Sequence, residues 1–307
     1  MLWRIFLASS FSTVGAYCAC VLIWGTTWLA IKVSLHGMPA VFGAGVRFIV
    51  AAAFLYALAL ASRIDLRRVT PPWHLVGVLA LTMFGLNYAL TYLAETHLAS
   101  GLVAVLFGTM PFFIFGFAHV MLGERADRNT LIGALLALGG VTLISLVGDV
   151  RADALYVAAA LLASASSGYA NVYLKRYADA EPLVTLPPAM LAAGVVMTLW
   201  GLAFERIDAR LATSPATLEA VAYLAVFGSA IAFSLNHWLL QRISSGRMGL
   251  SALMIPVMAV AVGALFGGEV FGARDIIGAL LVTGGVWLSL IRTRELVART
   301  PEVQVSG

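Results

Sequence analysis

Charge is scarce in this 307-residue chain: Asp, Glu, Lys and Arg together make up 11% of it, where a soluble domain carries about a quarter. Apolar residues supply 61%. That balance excludes an ordinary soluble fold and predicts an all-α integral membrane protein whose main partner is the lipid bilayer. Cysteine is nearly absent. Cys18 and Cys20 stand two positions apart on an expected helix, so their side chains diverge by about 200° and cannot pair with each other. There is no His-Glu-x-x-His, no Cys-x-x-Cys, no phosphate-binding loop and no convincing catalytic dyad, so no metal site, no cofactor and no enzyme activity is expected. The 15 acidic residues all fall in expected loops or near expected helix ends. A mid-membrane carboxylate of the kind used as a proton relay is therefore missing, and proton coupling has no support.

What the chain does have is a series of apolar stretches long enough to cross hydrocarbon, roughly 20 residues each. Ten are expected: Gly15–Ser34, Val41–Ala61, His74–Thr96, Ser100–Leu122, Thr130–Val147, Ala154–Leu174, Leu183–Phe204, Leu218–Leu240, Met248–Gly267 and Ile276–Ile291. The first lacks an Ala-x-Ala type cleavage site and is followed by another span, so it reads as a retained helix and not as a signal peptide.

The formal net charge of +4 would suggest a nucleic-acid partner in a soluble protein. Its distribution gives a different explanation, and no nucleic acid is expected. With the N-terminus inside, thirteen of the 19 basic residues fall in cytoplasmic segments, against four (Arg151, Arg206, Arg210 and Arg274) in the opposite loops. This asymmetry follows the positive-inside rule and places both termini in the cytoplasm.

The chain also repeats itself. An offset of 145 positions superposes Ser100-Gly101 on Ser245-Gly246, Pro111 on Pro256, Gly123-Glu124 on Gly268-Glu269 and Ile132–Leu136 on Ile277–Leu281. An offset of 143 brings Gly25 onto Gly168, Lys32 onto Lys175 and Phe84-Gly85 onto Phe227-Gly228. Two units are implied, residues 1–148 and 149–307, each with five spans. An odd number of spans per unit makes the second enter the membrane inverted, an arrangement that in transporters encloses a site near the midplane.

Polar residues at helical spacing within such spans point to an interior or a cavity. The first span carries Trp24, Thr27, Trp28 and Lys32; the third Asn87, Tyr88, Thr91, Tyr92 and Glu95. The sixth carries Ser164, Ser167, Tyr169, Asn171 and Lys175; the eighth Ser229, Ser234, Asn236, His237, Trp238 and Gln241. Any one of these has a plain alternative as interhelical glue, and either lysine as a snorkelling side chain. Four such faces in repeat-related pairs predict a polar-aromatic pocket for a small molecule, with Trp24, Thr27, Trp28, Asn87, Tyr88, Thr91, Tyr92, Ser167, Tyr169, Asn171, Asn236 and Trp238 as its candidates. His119 and His237 read best as satisfied interior histidines. Arg47 would bind either an anionic group or backbone carbonyls. Its place near the outer end of the second span favours the structural role. Pro111 and Pro256 are expected within the fourth and ninth spans, as gating kinks or as static ones. Gly133, Ala137 and Gly140, with Gly278, Val282 and Gly285, would let the fifth and tenth helices pack closely, as scaffold or as a contact in a homodimer; monomer and homodimer stay open.

The segment Ile23-Trp24-Gly25-Thr26-Thr27-Trp28, Arg47-Phe48, and the doubled pattern of Pro111 with Gly123-Glu124 resemble the EamA family of the drug/metabolite transporter superfamily. The resemblance implies a ten-helix inner-membrane carrier, in many relatives an exporter of amino acids or other small metabolites, with its site lined by helices one, three, four, six, eight and nine. Ser167-Gly168-Tyr169 stands where the first half has Trp24-Gly25-Thr26, which implies an asymmetric cavity. The expected function is thus secondary export by alternating access. An intramembrane enzyme on lipid-linked substrates, or a channel, is the alternative.

Overall fold

The computed structural model of the chain describes residues 13–64, 70–95, 97–98, 100–145, 153–255, 257–258 and 272–291. Pro256, Gly268, Glu269 and the side chains of Trp28, Lys32 and Glu95 lie outside that description. The described residues form helices and connecting turns, without a strand. In chain order these are α1 (Thr13–Leu35), α2 (Ala40–Ala61), α3 (Trp73–Val78 continuing to Asn87–Glu95), α4 (Ser100–Phe107 and Met110–Leu122), α5 (Arg128–Ser145) and α6 (Ala154–Tyr177). They continue with α7 (Pro182–Phe204), α8 (Pro215–Tyr223 continuing to Ala232–Leu240), the start of α9 (Ser245–Gly249) and α10 (Ala273–Ile291). Among the described residues, six segments are apolar and long enough to cross a membrane: Ala40–Ala61, Trp73–Ala94, Val105–Leu122, Ala154–Tyr177, Pro182–Phe204 and Pro215–Leu240. Shorter apolar runs occupy Thr13–Thr27, Arg128–Leu143 and Ile276–Ser289.

Apolar side chains do not sort helices from lipid, so small residues decide which backbones meet. Along α5 and α10, a Cβ on Gly133 would run into the backbone of Gly285, and one on Gly140 into Gly278 and Val282. The expected close pairing of these two helices is present within a single chain. A second pair, α2 and α7, meets in the same way through Gly45 and Gly194. Glu205, just past α7, then accepts from the Val41 N–H at 3.0 Å and the Phe42 N–H at 2.7 Å. Those are unpaired donors of the first turn of α2, which has Pro39 and no side-chain cap of its own.

Helices α3 and α8 share a feature invisible in the sequence: a π-helical turn in mid-course, at Leu79–Leu86 and Leu224–Ile231. The two lie 145 residues apart, the offset at which the later parts of the halves superpose. A π turn throws the backbone ladder out of step and leaves carbonyls for outside donors. Here Ser166 on α6 donates to Thr82 O at 2.9 Å, and Arg47 on α2 donates to Gly228 O at 3.2 Å.

Pro111 stands within α4, as expected from the sequence, beside a break in the helix. The helix is interrupted at residues 108–109, and Pro111 occupies the first turn of the segment that restarts at Met110. Its missing N–H is therefore one that a helix start leaves unpaired in any case. Ser164 on α6 donates to Phe107 O at 3.2 Å, one of the carbonyls at the interruption. His119 is exposed on α4, where an interior position was expected, while His237 is fully buried.

Candidate functional site

A cavity of about 130 Å³ lies where α1, α2, α3, α4, α6, α8 and the start of α9 converge. A single water needs roughly 10–15 Å³ by this measure, so the space suits a solute of on the order of ten heavy atoms. Its walls include Trp24, Thr27, Asn87, Tyr88, Thr91, Tyr92, Ser167, Asn171 and Asn236. These are nine of the twelve candidates, from four helices that the sequence places far apart. Met110, Ile114, Phe233 and Met248 add apolar wall. Nothing in the sequence separated them, because an apolar residue in a membrane helix looks the same whether it faces lipid, a neighbour or a chamber.

The polar groups are held in place by local bonds. Asn171 Nδ2 donates to Ser167 O one turn back at 2.9 Å, which fixes its amide. Asn171 Oδ1 then accepts from Asn236 Nδ2 at 2.9 Å, joining α6 to α8 across the cavity wall. Asn87 Nδ2 donates to Met83 O at 3.3 Å, within the π turn of α3. Thr27 turns its hydroxyl back to Trp24 O at 2.7 Å. An aromatic chain runs through this wall and the layer behind it, with Trp24 edge-on to Phe233 at 5.6 Å, Phe233 to Phe84 at 5.0 Å, Phe84 to Phe48 at 5.1 Å and Phe48 to Tyr88 at 4.9 Å.

Two candidates, Tyr169 and Trp238, are not part of this set, and a third is not described. The Tyr169 ring packs on Phe117 at 5.5 Å and on Tyr173 at 5.6 Å, away from the lining. Trp238 supports the Arg242 guanidinium 3.8 Å from its ring centre, near the end of α8. The side chain of Trp28 lies outside the described residues.

Arg47, for which the sequence favours a structural role, makes structural ties and stands on the cavity wall as well. It is 2% exposed. Nε donates to Ser229 Oγ at 2.6 Å and Nη2 to Gly228 O at 3.2 Å, pinning α2 to the π turn of α8. Nη2 also lies 3.5 Å from the Tyr88 hydroxyl, and the guanidinium sits 5.3 Å and 5.6 Å from the ring centres of Tyr88 and Phe48. Placing arginine in the bilayer costs about 2.5–3.5 kcal/mol on insertion scales. Charged hydrogen bonds contribute about 1.5–3 kcal/mol each, and ring contacts about 0.5–2 kcal/mol, so these ties are of a size to offset the cost. Arg47 nevertheless lines the cavity as well.

Beyond the cavity, Glu124 and Lys175 form an ion pair at 2.8 Å. Gly123, at φ 70°, ends α4 in the left-handed conformation that glycine favours. The turn leaves Glu124 free to reach α6. Its other oxygen accepts from the Ser245 N–H at 2.9 Å, and Lys175 Nζ donates to Ile243 O at 2.6 Å. The ends of α4 and α6 and the start of α9 are thereby tied together. Helix-end geometry and snorkelling, the plain readings of Gly123-Glu124 and Lys175, leave out this three-way contact.

Apolar helices of membrane length arranged around a polar-aromatic chamber define a polytopic membrane protein with room for a small solute. The EamA-like transporter family model matches residues 11–146 and again 154–291, and the chain belongs to that family. The inner membrane transporter YedA of Escherichia coli K12, itself uncharacterised, is 29% identical over 284 residues, covering 89% of this chain and 91% of its own. A probable amino-acid metabolite efflux pump of Salmonella typhimurium LT2 is 26% identical over 296 residues, covering 92% and 95%. A protein of known crystal structure shares the fold at a TM-score of 0.80 and 21% identity, over 92% of this chain and 97% of its own.

Proposed function

We propose that this chain is a secondary carrier that exports a small amphipathic metabolite of amino-acid size across the inner membrane by alternating access. On this reading the chain crosses the membrane ten times as two inverted five-helix halves, residues 1–148 and 149–307, with both termini cytoplasmic. The observation that carries it is the cavity, whose walls come from both halves and combine rings with asparagine, serine and threonine groups. Rings suit an apolar moiety, and the amides and hydroxyls suit its polar end. The paired π turns and the pairing of α2 with α7 and of α5 with α10 support the inverted repeat. The Glu124–Lys175 contact would then close the cytoplasmic side, with Pro111, at the break in α4, as a hinge and Pro256 as its counterpart in the repeat. The volume speaks against lipid-linked substrates, and the aromatic walls speak against a continuous pore.

The test compares bacteria carrying the wild type, a Trp24→Ala/Asn87→Ala double variant or an empty vector at matched expression, and profiles metabolites accumulating in the medium. One compound class enriched by the wild type alone is the expected result. Equal enrichment by the double variant would detach export from this cavity, and no enrichment by a folded wild type would sink the export reading.

A further inference from the structure

Arg47 holds more charge and more donors than its packing uses. Nε and Nη2 make the ties to Ser229 and Gly228 described above, but Nη1 is buried with no hydrogen-bond partner among the described residues. A buried donor left unmet is uncommon in native proteins, and each such case asks for a cause. Among the described residues no carboxylate pairs with Arg47, and it is the only charged side chain on the described walls of the cavity. The Tyr88 hydroxyl, which accepts from Nη2, keeps its own proton to give. A second, smaller recess, bounded by Ser34, Met38, Gly43 and Leu224, shares Arg47 and Tyr92 with the cavity as walls. The guanidinium therefore stands between the cavity and a recess beside the turn joining α1 to α2.

We infer that the transported solute carries a carboxylate, and that Arg47 Nη1, assisted by the Tyr88 hydroxyl, receives it. The inference rests on the reading of the cavity as the transport site. A purely structural tie to Ser229 and Gly228 needs two donors and no net charge. What remains is a cation beside a low-dielectric chamber with one donor nitrogen unpaired among the described residues, the arrangement that recognises an anionic oxygen. The aromatic chain from Trp24 to Tyr88 leaves the rest of the solute an apolar wall.

The test starts from the compounds that the wild type enriches in the medium. Labelled compound is taken up into inside-out vesicles and competed with its own carboxamide, in the wild type, Arg47→Gln and Arg47→Lys. The enriched class is expected to bear a carboxylate, and the amide to compete at least about ten-fold more weakly, the scale of one charge-assisted hydrogen bond. Arg47→Gln loses uptake by a similar factor and no longer distinguishes acid from amide, whereas Arg47→Lys keeps part of the discrimination. A merely structural arginine would lower flux without changing that preference. Should Arg47→Gln fail to reach the membrane, the acid–amide ratio in the wild type decides alone. An enriched class without any anionic group overturns the inference and leaves the export reading intact; so does acid uptake by a folded Arg47→Gln at the wild-type rate. No enrichment by the wild type overturns the export reading itself.

Discussion

Replacing Glu124 with glutamine removes one charge from the contact joining α4, α6 and α9 while keeping the size of the side chain. At 2.8 Å from Lys175 Nζ, the Coulomb attraction is about 6 kcal/mol at an effective dielectric of about 20. Both groups are partly in solvent, at 21% and 25% exposure, so desolvation and screening bring the net value down towards about 1 kcal/mol. The carboxylate also accepts the Ser245 N–H at 2.9 Å, and an amide oxygen retains only part of that charge-assisted bond. Together the loss comes to about 1–3 kcal/mol against the tied state, or roughly a 5–150-fold shift between two conformations. The assay places a cysteine at Ser167, on the cavity wall, with exposed Cys18 replaced by alanine. Labelling by a membrane-impermeant maleimide is then followed in inside-out and right-side-out vesicles. Glu124→Gln should raise labelling from the cytoplasmic side and lower it from the other, and Lys175→Glu with Glu124→Lys should restore part of the difference. Unchanged labelling from both sides in a folded Glu124→Gln protein would refute the reasoning.

Two further substitutions test the packing. Gly133→Ala drives a methyl group into the backbone of Gly285 on α10, whereas Gly139→Ala meets nothing within 4 Å. The first should therefore lower the Tm in detergent by the equivalent of about 1–3 kcal/mol, the usual scale of overpacking, and the second should leave it unchanged. In Gly228→Ala the added Cβ would lie 2.7 Å from Thr27 Cγ2 and 3.2 Å from Arg47 Nη2. It should displace Arg47 and reduce export at near-normal expression, as read by metabolite accumulation in the medium.

The sequence announced the membrane fold through its scarcity of charge, and the small-residue seam between α5 and α10 through Gly133, Ala137 and Gly140. The polar faces of the first, third, sixth and eighth spans pointed at one chamber, because in lipid an asparagine or serine needs a partner. The same rule could not say which partner. Ser229 went to Arg47, and Gln241 to His237 Nε2 and to Ala178 O. Asn171 and Asn236 went to each other. Phe233 and Met110 carried no signal, since hydrophobicity is uniform in such helices. The π turns were hidden for a related reason: their freed carbonyls are backbone groups, visible only once Ser166 and Arg47 are seen to reach them. The depth of Arg47 along its helix favours a structural role without excluding an anionic ligand. Depth does not reveal that Nη1 has no partner among the described residues.

Purified protein in proteoliposomes offers the sharpest test of whether the cavity is a carrier site. Vesicles loaded with the compound identified from the medium are assayed for entry of labelled compound, with and without unlabelled compound inside. A carrier working through this cavity gives saturable entry that internal compound accelerates, and Trp24→Ala/Asn87→Ala abolishes the acceleration while the protein stays folded. Entry that rises linearly with concentration, indifferent to internal compound and to both substitutions, would contradict it.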